Sequence, residues 1–254
     1  MTVIAVTGKG GTGKTVVSAL LVNYFSQDKG ERVLAVDADP DSNLPETLGV
    51  SGYKTLGDVR ESFQQKRDEL GTISKEAWVE GKIYGEAIYE ADDFDLLVMG
   101  QPEGEGCYCF VNNLLKGVLK KLLTNYDVIV IDCEAGLEHF SRKTIEGTDY
   151  ILVVTDSSRK GLATAKRIKD SSHSLGLKFN QICLLGNRVN SGKDLMIKEF
   201  AEQEDMGFLG VLPYAEEIEE LEYRGEPVVR LLEDNKFNKQ IGELFAFTGD
   251  QNDH

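Results

Sequence analysis

The sequence predicts an α/β fold, a single doubly wound domain with a mostly parallel central sheet flanked by helices. Short apolar, β-branched runs without charges recur along the 254-residue chain, which is typical of buried strands in a parallel sheet. Stretches with apolar residues at helical spacing separate these runs, and acidic or glycine-rich segments follow several of them. Since we find no internal repeat and no low-complexity linker, we expect one domain over residues 1–254. Within it we expect a helical insertion at 53–93 and a flexible tail at 247–254.

The strongest motif lies at the start of the chain, between a predicted strand at Val3–Val6 and a predicted helix at Val16–Phe25. The segment Gly8–Thr15 matches the pattern G-x-x-x-x-G-K-[ST], the signature of a phosphate-binding loop. Its glycines allow a tight turn that points backbone N–H groups at phosphate oxygens, and the helix adds the positive end of its dipole. We expect Lys14 to contact the β- and γ-phosphates and Thr15 to bind Mg²⁺. The alternative, a glycine-rich turn needed only for packing, does not require this order of strand, loop and helix.

Acidic residues follow two further predicted strands. Arg32–Val36 ends in the segment Asp37–Asp41, and Val128–Ile131 ends in Asp132. The carboxyl ends of parallel strands form the ligand-binding edge of such sheets, where a carboxylate can hold Mg²⁺ or orient an attacking water. The alternative is that these aspartates cap the helices that follow their strands. Beside a phosphate-binding loop, the functional interpretation is favoured.

The remaining elements continue the alternation of strands and helices. Further strands are predicted at Phe94–Met99, Ile151–Val154, Ile182–Leu185 and Phe208–Leu212. Amphipathic helices are predicted at Leu114–Leu123 and Leu162–Leu175. Spacing of this kind is typical of one parallel sheet with crossover helices.

The composition limits the partners of the protein. With 28 Lys and Arg against 43 Asp and Glu, the net charge is −15, so nucleic acids and anionic membranes repel the chain. No segment approaches the roughly 18 apolar residues of a transmembrane helix, and the apolar start is too short for a signal peptide. We expect a cytoplasmic protein that binds neither nucleic acid nor membrane, and whose four cysteines are reduced.

A second lysine, Lys9, lies inside the phosphate-binding loop, although Lys14 already supplies the contact to the phosphates. A mobile lysine at this position could reach a nucleotide bound to a partner subunit, as an arginine finger does in trans. A lysine that simply faces solvent is equally compatible with the sequence. The residues alone leave both interpretations open.

Two cysteines form a C-x-C pair, Cys107 and Cys109, after a glycine-rich segment and before a predicted helix. A helix N-terminus lowers the pKa of a thiol and favours the thiolate, which is the metal-binding form. Two thiolates are half of a four-ligand site, so two copies of the chain could together bind Zn²⁺ or Ni²⁺. The alternative is that both thiols are packed without a ligand. We expect packing roles for Cys133 and Cys183.

Four motifs together resemble the deviant Walker A ATPases, the group of the MinD and ParA proteins, the nitrogenase iron protein and the arsenite and tail-anchor targeting ATPases. They are Gly8–Thr15 with its second lysine, Asp37-x-Asp39-Pro40, Asp132-x-x-Ala135-Gly136 and Asn187-Arg188. The resemblance implies a P-loop ATPase that hydrolyses ATP with Mg²⁺ and works as a homodimer.

This resemblance also implies catalytic roles. Lys9 contacts the nucleotide across the dimer, and it acts with Lys14 and Asp39 in catalysis. Asp39 polarises the attacking water. Thr15, Asp39 and Asp132 form the magnesium site.

The same resemblance implies a set of nucleotide contacts, in which Asn187 hydrogen-bonds the adenine edge. Val16 departs from the pattern, since many members have a second threonine there that touches the α-phosphate. The set comprises Gly8, Lys9, Gly10, Gly11, Thr12, Gly13, Lys14, Thr15, Val16, Asn187, Arg188 and Pro213.

The segment Gly106–Cys109, together with Ala135–His139, resembles the CooC-type maturation ATPases. These assist nickel insertion into carbon monoxide dehydrogenase, and a sister group serves acetyl-CoA synthase. The resemblance implies an ATP-hydrolysing, nucleotide-switched dimeric metallochaperone that holds Ni²⁺ or Zn²⁺ on paired Cys107 and Cys109, with one of these nickel enzymes as its client. His139 is a candidate further ligand, although a hydrogen-bonding role in a switch region fits it better.

Two other functions remain open from the sequence. A positioning ATPase of the MinD and ParA kind acts on a membrane or on DNA, but it needs a basic face or tail, and residues 244–254 are acidic and interrupted by glycine. An electron-transfer ATPase like the nitrogenase iron protein bridges an iron–sulfur cluster between subunits, for which Cys107 and Cys133 are the candidates. The adjacent Cys109 fits a chelate better.

Overall fold

The computed structural model describes residues 1–66, 73–101, 117–135, 148–190, 192–229 and 241–245. Within these residues the chain forms an eight-stranded sheet. Its strands are β1 (Thr2–Gly8), β2 (Val33–Asp37), β3 (Ile88–Glu90), β4 (Asp95–Val98), β5 (Val128–Asp132), β6 (Tyr150–Thr155), β7 (Gln181–Val189) and β8 (Gly207–Pro213). All neighbouring strands are parallel except β3 and β4, so the mostly parallel α/β fold expected from the sequence is confirmed.

Helices cover both faces of the sheet. They are α1 (Lys14–Asn23), α2 (Leu44–Thr47), α3 (Leu56–Lys66), α4 (Lys75–Lys82), α5 (117–123), α6 (Arg159–Ser174), α7 (Asp194–Gln203) and α8 (Glu216–Arg224). Short π-helical turns at Tyr24–Asp28 and Ile83–Ala87 continue α1 and α4, and residues 241–245 are helical. In the described part of the chain, no helix is both long and apolar enough to cross a membrane.

The strand order places the start of the chain in the middle of the sheet. The order is β3-β4-β2-β5-β1-β6-β7-β8, and the chain extends the sheet from β1 in both directions. Ligands of such sheets bind at the carboxyl ends of the strands, where the strand order reverses. The loop after β1 lies at this point, between the carboxyl ends of β5 and β6.

Both faces of the sheet are apolar, because helices cover it on each side. In β1, Val3 and Ala5 pack into one core cluster, whereas Ile4 and Val6 pack into the other. The first cluster contains side chains of α3 to α7, and the second contains those of α1 and residues 241–245. This burial on two sides explains why the strands occur in the sequence as continuous apolar runs.

The helices of the region 53–93, predicted as a helical insertion, pack into the first of these two core clusters. Leu56, Val59 and Phe63 of α3 are buried there, and the rings of Phe63 and Trp78 lie 5.6 Å apart. The same region ends in β3, an antiparallel edge strand that the sequence did not indicate. With three half-exposed or exposed residues, β3 is too short to show a periodic pattern.

Helix α6 begins three residues before the start that its apolar spacing predicts. Ser158 caps the helix, since its hydroxyl accepts a hydrogen bond from the backbone N–H of Gly161 at 3.0 Å. The first turn carries no large apolar side chain, and apolar spacing therefore does not reveal it.

Gly8 is a position where the sheet excludes any side chain. Its backbone has φ +152°, and a Cβ there would lie 2.1 Å from the backbone oxygen of Val154, which the strand pairing holds in place. We expect Gly8→Ala to lower the free energy of unfolding by roughly 2–4 kcal/mol, because it adds steric overlap to backbone strain. Urea denaturation measures the change.

Gly10→Ala is the matched control within the same loop. Nothing lies within 4 Å of a Cβ at Gly10. We expect this variant to change the free energy of unfolding by less than about 0.5 kcal/mol. Equal losses in the two variants would contradict the steric explanation.

Candidate nucleotide-binding site

The phosphate-binding loop runs from the end of β1 to the start of α1. Gly13 precedes α1 with a left-handed backbone, φ 82°, and a Cβ there would lie 2.5 Å from Nδ2 of Asn187. Within the loop, the Thr12 hydroxyl donates to the carbonyl oxygen of Lys9 at 2.8 Å. As at any helix N-terminus, the first N–H groups of α1 lack partners inside the helix and can bind phosphate oxygens.

Asn187, near the end of β7, fastens the loop to the sheet. Its Nδ2 donates to the carbonyl oxygen of Thr12 at 2.8 Å, and its Oδ1 accepts from the backbone N–H of Arg188 at 2.9 Å. Arg188 has a positive φ of 56°, and its guanidinium pairs with Glu222 of α8 at 2.8 Å. The structure thus gives Asn187 a role in holding the loop, which the sequence did not indicate. Its contact to the adenine edge stays a prediction.

An apolar groove lies beside Asn187, between α1, the end of β8 and the start of α8. Its described lining residues are Gly13, Val16, Leu20, Asn187, Arg188, Leu212, Pro213, Tyr214, Ala215, Ile218 and Glu219. With a volume of about 20 Å³, the groove admits only one or two water-sized groups and would have to widen to hold a nucleobase. Five of the predicted nucleotide contacts, Gly13, Val16, Asn187, Arg188 and Pro213, line this groove.

A larger cleft of about 620 Å³ contains the loop residues Gly10, Gly11, Lys14 and Thr15. This volume lies in the range of ligand pockets. Its described charged lining residues are Asp39, Asp41, Glu46, Glu134, Glu222 and Glu226, which are acidic, and Lys14 and Arg188, which are basic. A triphosphate in this cleft therefore needs a cation between itself and the carboxylates.

Asp132 ends β5 and is only 1% exposed. Its Oδ1 accepts a hydrogen bond from the Ser18 hydroxyl at 3.0 Å, and the Thr15 hydroxyl lies near enough to the carboxyl group to lower its pKa. Burial raises the pKa of Asp132 to about 6, although both hydroxyls and the charge of Lys14 oppose this rise. Two residues of the predicted magnesium site, Thr15 and Asp132, thus lie near each other.

Asp37 ends β2 and lies opposite Asp132 in the register of β2 and β5. Its carboxyl group is buried and accepts hydrogen bonds from the backbone N–H groups of Leu44, at 2.9 Å, and Asp39, at 3.0 Å. Burial, and then the nearby Asp132, raise the pKa of Asp37 to about 7. Asp37 therefore stabilises the start of α2, which is the helix-capping role that the sequence left as the alternative for Asp37–Asp41. Asp39, in contrast, lines the cleft.

The predicted magnesium residues supply the donor atoms that this ion prefers. Thr15 and Asp39 both line the cleft, and the charge of Asp39 contributes to the raised pKa of Asp132, so the three side chains lie near one another. Hydroxyl and carboxylate oxygens are ligands of Mg²⁺. The residues present therefore fit the ion.

The side chains of the two loop lysines, Lys9 and Lys14, have different surroundings. Lys14 lines the cleft, whereas Lys9 is not among the described residues that do so. Instead, Nζ of Lys9 lies 3.2 Å from Oδ2 of Asp156, directly after β6, and the Lys9 side chain is 35% exposed. Lys9 therefore does not simply face solvent. Its contact to a nucleotide across a dimer stays a prediction.

The cysteines that the structure describes are buried. Cys133 is 2% exposed and Cys183 is 3% exposed, and burial raises the pKa of both thiols, to about 12 for Cys183. Both thiols are therefore protonated core groups. Cys107, Cys109 and His139 lie outside the described residues. Within the described ranges, no group of three or more His, Cys, Asp or Glu side chains is arranged to hold a metal ion.

Sequence reasoning missed two residues that the structure brings to the site, Ser18 and Asp156. Ser18 follows Thr15 by one helical turn and so lies on the same face of α1, which is the signal that could have identified it. Asp156 follows β6 just as Asp132 ends β5, and the same strand-end pattern could have identified it.

Comparison with known proteins relates most of the chain to nucleotide-binding proteins. Residues 3–228 match the CobQ/CobB/MinD/ParA nucleotide binding domain. An uncharacterized ATP-binding protein of Methanocaldococcus jannaschii is 45% identical over 245 residues, which cover 95% of this chain and 96% of that protein. The carbon monoxide dehydrogenase accessory protein CooC of Rhodospirillum rubrum is 33% identical over 236 residues, or 87% of each chain.

Solved structures agree with this relationship. The septum site-determining protein MinD of Pyrococcus horikoshii, complexed with Mg-ADP, has a TM-score of 0.70 and 27% identity over 98% of this chain and 96% of that one. The Aquifex aeolicus MinC:MinD complex, with a TM-score of 0.72 and 20% identity over 98% and 97% of the two chains, shares the fold. The chain therefore belongs to the CobQ/CobB/MinD/ParA family of nucleotide-binding proteins.

Proposed function

We propose that the protein is an ATPase that hydrolyses ATP to ADP and phosphate at the site described above. The observation that supports this proposal is the hydrogen bond of Ser18 with the buried Asp132, which holds this carboxyl group beside Thr15 at the N-terminus of α1. The cleft beside this cluster has room for the phosphates, and we place the base at the apolar groove next to it, which widens to admit the base.

In this mechanism Lys14 and the N–H groups of the loop bind the β- and γ-phosphates. Thr15, Asp39 and Asp132 would hold Mg²⁺, which would supply positive charge to the phosphate oxygens. Asp39 orients the attacking water, because its carboxylate lines the cleft. The partner's Lys9 adds a positive charge where negative charge develops in the transition state.

For the biological role we propose a nucleotide-switched homodimeric metallochaperone. It carries Ni²⁺ or Zn²⁺ on the paired Cys107 and Cys109, and it assists nickel insertion into carbon monoxide dehydrogenase or acetyl-CoA synthase. The 33% identity to the accessory protein CooC supports this role. Since Cys133 and Cys183 are buried, the C-x-C pair is the remaining thiol pair of this four-cysteine chain. ATP favours one dimer arrangement and hydrolysis resets it.

A positioning ATPase is the second candidate, because the MinD protein of Pyrococcus horikoshii shares 27% of its sequence and the fold. The net charge of −15 opposes it, since DNA and anionic membranes are themselves negative. Sedimentation of the protein with liposomes or DNA in the presence of ATP would favour this candidate. An iron–sulfur role is disfavoured by Cys133, whose thiol is buried in the core and has a raised pKa.

Lys14→Ala tests nucleotide binding. Because the variant lacks the cation that pairs with the phosphates, we expect MgATP affinity to fall roughly 30- to 100-fold, or about 2–3 kcal/mol. Isothermal titration calorimetry measures the affinity, and Lys198→Ala, which removes an exposed lysine of α7, is the control. Unchanged binding by Lys14→Ala would contradict the assignment of the phosphate site.

Asp132→Asn tests the buried carboxyl group through pH. Because the pKa of Asp132 is higher in the folded than in the unfolded state, its ionisation destabilises the native state. This loss of stability is absent below the pKa that Asp132 has in the unfolded chain, and it is complete above about pH 6. Asparagine cannot ionise and still accepts a hydrogen bond from Ser18. Without metal or nucleotide, we expect the stability of the variant relative to wild type to rise by about 2 kcal/mol between pH 4.5 and pH 8.

Urea denaturation across this pH range measures the difference. MgATP provides an internal control, because it should stabilise the wild type and have little effect on the variant. A stability difference that is constant with pH would show that burial of the Asp132 charge is not its cause.

Cys107→Ser combined with Cys109→Ser tests the metal role. We expect about one Ni²⁺ or Zn²⁺ per wild-type dimer and none in the double variant, because four thiolates complete the site. Elemental analysis with ADP and with a non-hydrolysable ATP analogue, together with molecular mass, measures both properties. Cys183→Ala, which removes a core thiol, should retain the ion, and retention by the double variant would refute the role.

A further inference from the structure

The loop lysine Lys9 is paired within its own chain. Its Nζ lies 3.2 Å from Oδ2 of Asp156. Gly8 and Val154 are in register on β1 and β6, so Lys9 and Asp156 leave the sheet at adjacent strand ends. The sheet therefore sets the distance between the two backbone positions.

The Asp156 carboxylate is itself fixed in place. Its Oδ1 accepts hydrogen bonds from the backbone N–H of Ser158, at 3.0 Å, and from the Ser158 hydroxyl. Oδ1 also packs so closely against the start of α6 that a Cβ at Gly161 would lie 2.2 Å from it. Although burial opposes it, Ser158 and Lys9 together lower the pKa of Asp156, which is thus charged at neutral pH.

We propose that Asp156 is a positioning residue that holds Lys9 in its own chain and thereby sets the ATP concentration at which two copies associate. This inference rests on the proposed function, in which Lys9 reaches the nucleotide of a partner subunit. Contact with that nucleotide requires Lys9 to leave Asp156. The free energy of the ion pair then opposes dimer formation.

The exposure of the ion pair determines how far its loss shifts the ATP concentration needed for dimer formation. The side chains of Lys9 and Asp156 are 35% and 33% exposed, so water partly screens the pair. Partly exposed ion pairs are modest in strength. We expect their loss to change the midpoint ATP concentration about two- to fivefold, and the change to shrink as salt rises.

Asp156→Asn separates the two contacts of this carboxylate. The asparagine Oδ1 still accepts from Ser158, whereas its Nδ2 replaces the oxygen that pairs with Lys9. Light scattering measures molecular mass while a non-hydrolysable ATP analogue is titrated in the presence of Mg²⁺. We expect the variant to dimerise at an analogue concentration about two- to fivefold below that of the wild type.

Asp170→Asn is the matched control, because Asp170 is exposed on α6, the helix that begins soon after Asp156, and its loss removes the same charge. An equal shift in this control would assign the effect to general repulsion between acidic chains and overturn the proposal. A double-mutant cycle of Lys9→Ala and Asp156→Asn, measured by unfolding of the nucleotide-free protein, tests the pair without any dimer. A coupling of zero would also overturn the proposal.

The outcomes separate this proposal from the proposed function. If the wild type dimerises and Asp156→Asn has an unchanged or higher midpoint, Asp156 does not restrain Lys9, and the ATPase dimer stands. If the wild type remains monomeric at saturating analogue, the proposed dimer fails, and the restraint fails with it.

Discussion

The site depends on one buried carboxyl group, that of Asp132. It joins the end of a central strand to the first turns of α1 through a hydrogen bond from Ser18. A carboxyl group that is 1% exposed is costly in its ionised form unless donors or cations compensate. Two hydroxyls provide part of this compensation. The neighbouring carboxyl group of Asp37 adds further repulsion, and this is why we propose that Mg²⁺ binds beside Asp132.

The sheet brings the other polar groups to the same edge. Four strands around β1 each place a polar side chain at or near their carboxyl ends: Asp37, Asp132, Asp156 and Asn187. Because these strands are parallel neighbours, residues far apart in sequence meet beside one loop. Each side chain makes a different contact: Asp37, for example, stabilises the start of α2, whereas Asn187 holds the loop. Because the sheet is buried on both faces, its strand ends, and therefore these four side chains, keep fixed positions relative to one another.

Much of this arrangement can be predicted from the sequence, because its signals are local. The apolar runs identify the strands, and the loop motif predicts where the phosphates bind. Asn187 and Thr12 are 175 residues apart, and Lys9 and Asp156 are 147 apart. Contacts at such separations depend on strand order and register, which one sequence does not reveal. The short antiparallel strand β3 was missed for a different reason, since three residues carry no periodicity.

The position of Lys9 and Asp156 on neighbouring strand ends also has a kinetic consequence. Their backbones are fixed by the sheet, so release of the lysine needs only side-chain rotation, which takes picoseconds to nanoseconds. Loop and domain movements are far slower. In the proposed dimer, an approaching copy of the chain would therefore meet a lysine that exchanges quickly between its two states. The ion pair would weaken the complex without adding a slow step to its formation.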